Sequence, residues 1–248
     1  MTASIDINNP DHPKRVLMVA ANPSTSTQTG WPVGFWWAEL THPYWEFTEH
    51  GYQVDIASPD GGTLTADGFS DPEDESGYSA HDLISLGFKH SAQHAALIED
   101  TPKLADLELD DYHALFLVGG QSPMFTFRNN PDIETAVRHF YETGKPTAIV
   151  CHATSVLLDA TTSTGERIVT GKTWTGFANA EEAFADNFVG QKIQPYWIED
   201  EAKNLPDTNF VVNTMFKPFA IRDGNLITGQ QQYSGTAAAR LVIETLGV

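Results

Sequence analysis

The chain contains one cysteine, Cys151, in the stretch KPTAIVCHATSVLLDA. The residues before it are strand formers and those after it read as a helix, so the thiol falls at a strand-to-helix junction. At the carboxyl edge of a parallel sheet such a junction is where open α/β folds bind ligands. It is the layout of a nucleophile elbow. A thiol there meets the partial positive charge and free N–H groups of a helix N-terminus, which are expected to lower its pKa and to hold a developing oxyanion. His152, next in sequence, supplies a base. Position alone leaves a second reading open, a structural cysteine buried in an apolar run.

Three other stretches bear on that choice. LVGGQSP (117–123) ends a strand-like run with Gly119 and Gly120, where a backbone can approach a substrate and donate N–H bonds, and places Gln121 beside them. Glu39 stands in the aromatic stretch GFWWAELTHPYW; a carboxyl group turned inward there is desolvated and raised in pKa, able to give or take a proton. Turned outward it is an ordinary solvated helix residue. GKTWTGFANAEE (171–182) ends in Glu181 and Glu182, two carboxylates available to orient a histidine. On a helix, neighbours point about 100° apart, so one of the pair is expected to face His152 and the other solvent.

The elements that must position these residues follow from hydrophobic pattern. Short β-branched runs at 15–21, 52–58, 113–120 and 147–151 read as core strands, and helical periodicity fills 34–51 and 131–145. Alternating strands and helices predict an α/β fold with a mainly parallel central sheet and helices on both faces. Two excursions interrupt it, at about 59–102 and 161–205. The second is expected to carry β alternation over 163–176 and a short helix over 177–188. A strand at NFVVN, a hairpin turning at Asp223 and Gly224, and a closing helix from Tyr233 complete the chain. No repeat or low-complexity tract divides it, so one domain spanning 1–248 is expected.

Composition narrows the function classes. A formal charge of −19 repels phosphate backbones and acidic membranes, which argues against nucleic acid as a partner and reads as a solubility device. No apolar run is long enough to span a bilayer, and MTASIDINNPDHPKR lacks the apolar core of a signal peptide; with a lone thiol, these features predict a cytoplasmic protein. Neither G-x-G-x-x-G nor G-x-x-x-x-G-K-[ST] occurs, so no nucleotide cofactor is expected. His81, His90 and His94 read as solvated side chains rather than metal ligands. The aromatic cluster Trp31, Phe35, Trp36, Trp37, Tyr44 and Trp45 reads as core or dimer interface, with part of it walling a pocket.

The stretches GFWWAELTHPYWEFTEHGYQVDIASPDGG, LVGGQSP, AIVCHATSVLL, GKTWTGF and LITGQQQYSGTAAA, in this order, resemble the ThiJ/PfpI superfamily of class I glutamine amidotransferase-like proteins. The resemblance is strongest to its glutathione-independent glyoxalase (glyoxalase III) and stress-chaperone branch. It implies a flavodoxin-like sandwich, commonly a homodimer, needing no cofactor or metal and acting on small reactive carbonyls such as methylglyoxal. Residue by residue it implies Cys151 as nucleophile, His152 as the histidine after it, Glu39 as the carboxyl contacting the thiol, Glu182 as the partner of His152, and Gly120 with the His152 backbone as oxyanion site. An amidase or isocyanide-hydratase activity, or a stress-chaperone or redox-sensing role, would use the same thiol. Two positions depart from the family pattern: Ala153 follows the Cys-His pair where glycine is usual, and Gln121-Ser122 follows the glycine pair where His-Gly is usual.

Overall fold

The computed structural model describes residues 13–247. Five of its six main strands come from short, largely apolar runs: β1 (Arg15–Val19), β2 (Gln53–Ala57), β3 (Ala114–Leu117), β4 (Thr147–Val150), and, after a second edge strand β5 (Ala220–Asp223), β6 (Leu226–Gly229). They form one sheet in the order β2-β1-β3-β4-β6-β5. All neighbours are parallel except β6 and β5, an antiparallel hairpin whose turn holds Gly224 at φ 67°. Every residue of β3, β4 and β6 is buried, as a sheet covered on both faces requires.

Helix α1 (Trp37–Glu49) crosses from β1 to β2, whereas α3 (Pro131–Glu142) crosses from β3 to β4. The strand order runs outward in opposite directions from β1 and β3, so right-handed crossovers place these helices on opposite faces. The closing helix, α6 (Gly235–Leu246), packs against α1, where a Cβ on Gly235 would come within 3.1 Å of Pro43. Asn130 caps α3 through its side-chain oxygen, and Ile133, Ala136, Val137 and Phe140 form its buried stripe.

The first excursion carries α2 (Leu83–His90), and the second carries α4 (Asn179–Val189) and α5 (Ile198–Lys203). The β alternation expected over 163–176 and the strand expected at NFVVN shrink to a two-residue parallel pair, Thr173–Trp174 with Asn209–Phe210. Turns at Gly165 and Gly171, both at positive φ, break the longer pattern. Among the described residues no helix is long and apolar enough to cross a membrane.

Candidate active site

The carboxyl ends of β3 and β4 lie side by side, which brings Gly119, Gly120 and Cys151 together. Cys151 has φ 56°, a left-handed conformation unusual for a residue with a Cβ. The chain then enters a 3₁₀-helix over Cys151–Leu158, buried throughout, in place of the α-helix expected there. Thr154 helps tighten it, donating its hydroxyl to the Cys151 carbonyl at 2.6 Å. Ala153 sits in this turn at negative φ, so the departure from glycine introduces no left-handed residue.

The backbone N–H groups of His152 and Gly120 lie near the sulfur and pull its pKa down. The imidazole Nδ1 lies 3.7 Å from Sγ, and Nε2 lies 3.0 Å from Glu182 Oε1. Phe177 stacks on the imidazole with ring centroids 4.1 Å apart, fixing its plane. Burial pulls the His152 pKa down, but the charge and hydrogen bond of Glu182, joined by Glu39 and Asp67, more than reverse this and raise it. Glu182 is itself raised by burial, with His152 pulling the other way.

Glu39, in the first turn of α1, is fully buried beside the thiol. Burial pushes its pKa up to about 8; interactions with the Cys151 side chain, the His152 charge and the Gly119 N–H oppose the rise. Neither carboxyl oxygen has a partner at good hydrogen-bond geometry among the described residues, so the group is buried without an anchoring bond beside the thiol. The same proximity explains the glycine: a Cβ on Gly119 would lie 2.2 Å from Glu39 Oε2 and 2.7 Å from the Cys151 Cβ. Gly120, at φ 118°, would put a Cβ 2.5 Å from the Trp36 nitrogen and 2.6 Å from the Gly34 oxygen.

The acidic thiol expected from a helix N-terminus and a neighbouring histidine meets two opposing effects. Burial pushes Cys151 up, and a charged Glu39 pushes it further, against the N–H groups of His152 and Gly120. Protonating Glu39 removes the second push. The thiol and the carboxyl therefore behave as a pair, in which a proton on Glu39 favours a thiolate on Cys151.

Glu181 does not meet solvent as expected: it is as buried as Glu182. Its carboxylate accepts the backbone N–H groups of Ala178 and Phe216, each at 3.0 Å, and the Gln230 amide at 2.9 Å. The helix does rotate the two carboxyls apart, but the segment around Phe216 covers the outer side. Gln121 reaches the pocket rim, where its side-chain oxygen accepts the Gln194 amide at 3.3 Å. His90 and His94 bond separately, to Glu73 and Ser91, and do not converge.

Asp67 escaped the reading of the sequence. Buried in the first excursion, it accepts the Gly34 N–H at 2.8 Å and the Gln121 N–H at 2.7 Å, tying the entry to α1 to the loop after β3. Burial raises its pKa to about 7 against those two bonds. Its only signal was an Asp-Gly pair in a polar stretch. The pocket above the thiol is walled by aromatic side chains from both excursions, among them Phe69, Tyr78, Phe184 and Phe188, as well as by Trp36. Of the cluster Trp31, Phe35, Trp36, Trp37, Tyr44 and Trp45, Phe35 and Trp37 are core, whereas Trp31 and Trp45 are exposed.

Comparison with known proteins agrees with this architecture. The DJ-1/PfpI family model matches residues 34–245. Glyoxalase 3 of Candida albicans is 25% identical over 93% of this chain and 97% of its own. Glutathione-independent glyoxalase HSP31 of Saccharomyces cerevisiae is 27% identical over 94% and 98%. The crystal structure of the Francisella tularensis Rapid Encystment Protein of 24 kDa superposes with a TM-score of 0.83 at 24% identity, covering 95% of this chain and all of that one. A mainly parallel sheet with a cysteine elbow at its carboxyl edge, matched by that family model over most of the length, means that the chain belongs to the DJ-1/PfpI family.

Proposed function

We propose that the protein is a cofactor-independent enzyme of the glyoxalase III type, converting a small 2-oxoaldehyde such as methylglyoxal, with water, to the 2-hydroxy acid. The observation that carries this reading is Glu39, a buried carboxyl with its pKa raised to about 8 beside the only thiol. A hydrolase needs a nucleophile and a base; an internal redox conversion of an oxoaldehyde also needs a second proton carrier close to the sulfur. The relatives named Glyoxalase 3 and glutathione-independent glyoxalase HSP31 support the same class of substrate.

In this mechanism Sγ bonds to the aldehyde carbon as the thiol proton passes to Glu39, and the hemithioacetal oxyanion is held by the N–H groups of Gly120 and His152. His152, oriented by Glu182, takes the hydrogen on C1 as a proton and returns it to C2, while Glu39 delivers the thiol's proton to the C2 oxygen. The product is a 2-hydroxyacyl thioester with no net change in electrons. Water then cleaves it, restoring the thiol and releasing the acid.

The test is lactate formation from methylglyoxal without glutathione, beside Cys151→Ser. The wild type should form lactate, and the variant should be slower by about 10⁴-fold or more, as when a covalent nucleophile is removed. No lactate from the wild type would reject the glyoxalase reading. Thiol-dependent hydrolysis of an amide or hydration of an isocyanide by that preparation would replace it.

A further inference from the structure

The mouth of the pocket is more apolar and more aromatic than a methyl group requires. Phe184 and Phe188 on α4 are 42% and 60% exposed, large side chains that the core does not account for. Their rings stack one turn apart, at 6.4 Å and 11°, and Phe188 meets Phe69 at 5.9 Å and Tyr78 at 6.3 Å from the other excursion. On the opposite side Phe216 packs edge-on against Phe184 at 5.1 Å. Phe216 is held there at φ 56° while its N–H bonds to the buried Glu181, so a costly backbone conformation is maintained at the pocket wall.

The polar side chains of the wall are largely engaged with one another. Gln194 bonds Gln121, and Gln232 bonds the Tyr78 hydroxyl at 3.2 Å. Among the described residues no Lys or Arg lines the pocket, so apart from the His152 imidazole at the floor a substrate carboxylate or phosphate would find no cation to replace its hydration. Aromatic rings brought together at a concave, partly open mouth without Lys or Arg suit a flat, neutral, apolar group.

We infer that the preferred substrates are neutral 2-oxoaldehydes with an aromatic or comparably bulky apolar substituent, gripped by the collar of Phe69, Tyr78, Phe184 and Phe188 while the aldehyde meets Cys151. This rests on the reaction proposed above and specifies which carbonyl compounds it takes.

The full-length protein should be assayed with phenylglyoxal and with methylglyoxal, as wild type, Phe188→Ala and Phe184→Ala. Both side chains are exposed, so melting temperatures should hold. Each variant should lose about 10-fold in kcat/KM for phenylglyoxal and at most about threefold for methylglyoxal, a loss on the scale of one aromatic contact in a pocket. Binding of unreactive acetophenone and acetone, measured by calorimetry, separates recognition from chemistry. If neither aldehyde is turned over but acetophenone binds and Phe188→Ala weakens it selectively, the reaction is wrong and the collar's specificity stands. Equal losses on both aldehydes, or acetophenone binding indifferent to Phe188→Ala and Phe184→Ala, would overturn the inference.

Discussion

The floor and the mouth of the pocket are built by opposite rules. The floor is backbone and polar atoms at the sheet edge, with Gly119, Gly120 and Cys151 packed so closely that a single methyl group has no room, and Glu39 fully buried beside them. The mouth is side chain, contributed by two excursions, and its rings touch at centroid distances of 5 to 6.5 Å with solvent on one side. Rigid elements fix atoms to within fractions of an ångström, whereas loops and surface helices vary with little cost to the core. In the proposed reaction, chemistry sits on the first and choice of substrate on the second.

The sharpest way to break this contrast is to add one carbon to the floor. Gly120→Ala must move either the Gly34–Trp36 backbone or its own N–H, and Gly120 holds a φ that alanine disfavours. Turnover should fall by about 10³-fold, the scale of a lost oxyanion donor, and the melting temperature should drop as well. Activity within a few-fold of wild type would mean that the Gly120 N–H is not part of the reaction.

Glu39→Gln comes next, with an expected loss of about 10²-fold in turnover. It also carries a signature in stability. A carboxyl raised from 4.5 to about 8 is bound to its proton in the fold when the unfolded chain has already lost it. Its contribution is therefore complete below about pH 4.5 and is lost as pH rises towards 8, with a slope of at most about 1.4 kcal/mol per pH unit. Asp67, raised to about 7, adds a loss of the same sign between about pH 4 and 7. Denaturant titrations from pH 5 to 8 should show wild-type stability falling and a shallower fall in Glu39→Gln. Parallel curves would place the Glu39 proton elsewhere.

The smallest effects test the border between the two regions, at neighbouring carboxylates with different tasks. Glu182→Gln should lower kcat by about 10- to 100-fold with KM nearly constant, because it disturbs the charge and orientation of His152. Glu181→Gln should cost about 1–2 kcal/mol of stability, since an amide can replace only one of its two acceptor oxygens, and only a few-fold in activity, read as a higher KM through Phe216. Exchanged outcomes would move the functional carboxylate by one residue.

What the sequence made legible divides along the same line. Strand runs, the Asp223-Gly224 hairpin and the junction at Cys151 are local patterns, and each lies within a few residues of its expected place. Glu39 stood out because a carboxyl in an aromatic helix is a local contradiction. The pairing of His152 with Glu182 was reached by resemblance, since helical rotation alone left Glu181 and Glu182 open. The burial of Glu181 could not be read, because it depends on Phe216 and Gln230, far along the chain, folding over it. The aromatic collar was hidden likewise: Phe69 and Phe188 lie in excursions that no short pattern brings together. The thiol's environment was misjudged because neighbours in sequence announce charge, while desolvation is set by everything packed around them.

The left-handed backbone at Cys151 has a consequence for the order of assembly. Neither the β-branched run before it nor the apolar run after it favours that conformation, which costs about 1–2 kcal/mol wherever tertiary contacts do not enforce it. The elbow is therefore not expected to seed folding. It is expected to close only after β3, β4 and the start of α1 have docked, and in a warming protein it gains by letting go. Such a site is expected to open by local fluctuation while the sheet beneath is intact, so that catalytic competence ends some degrees below the temperature at which the fold itself does.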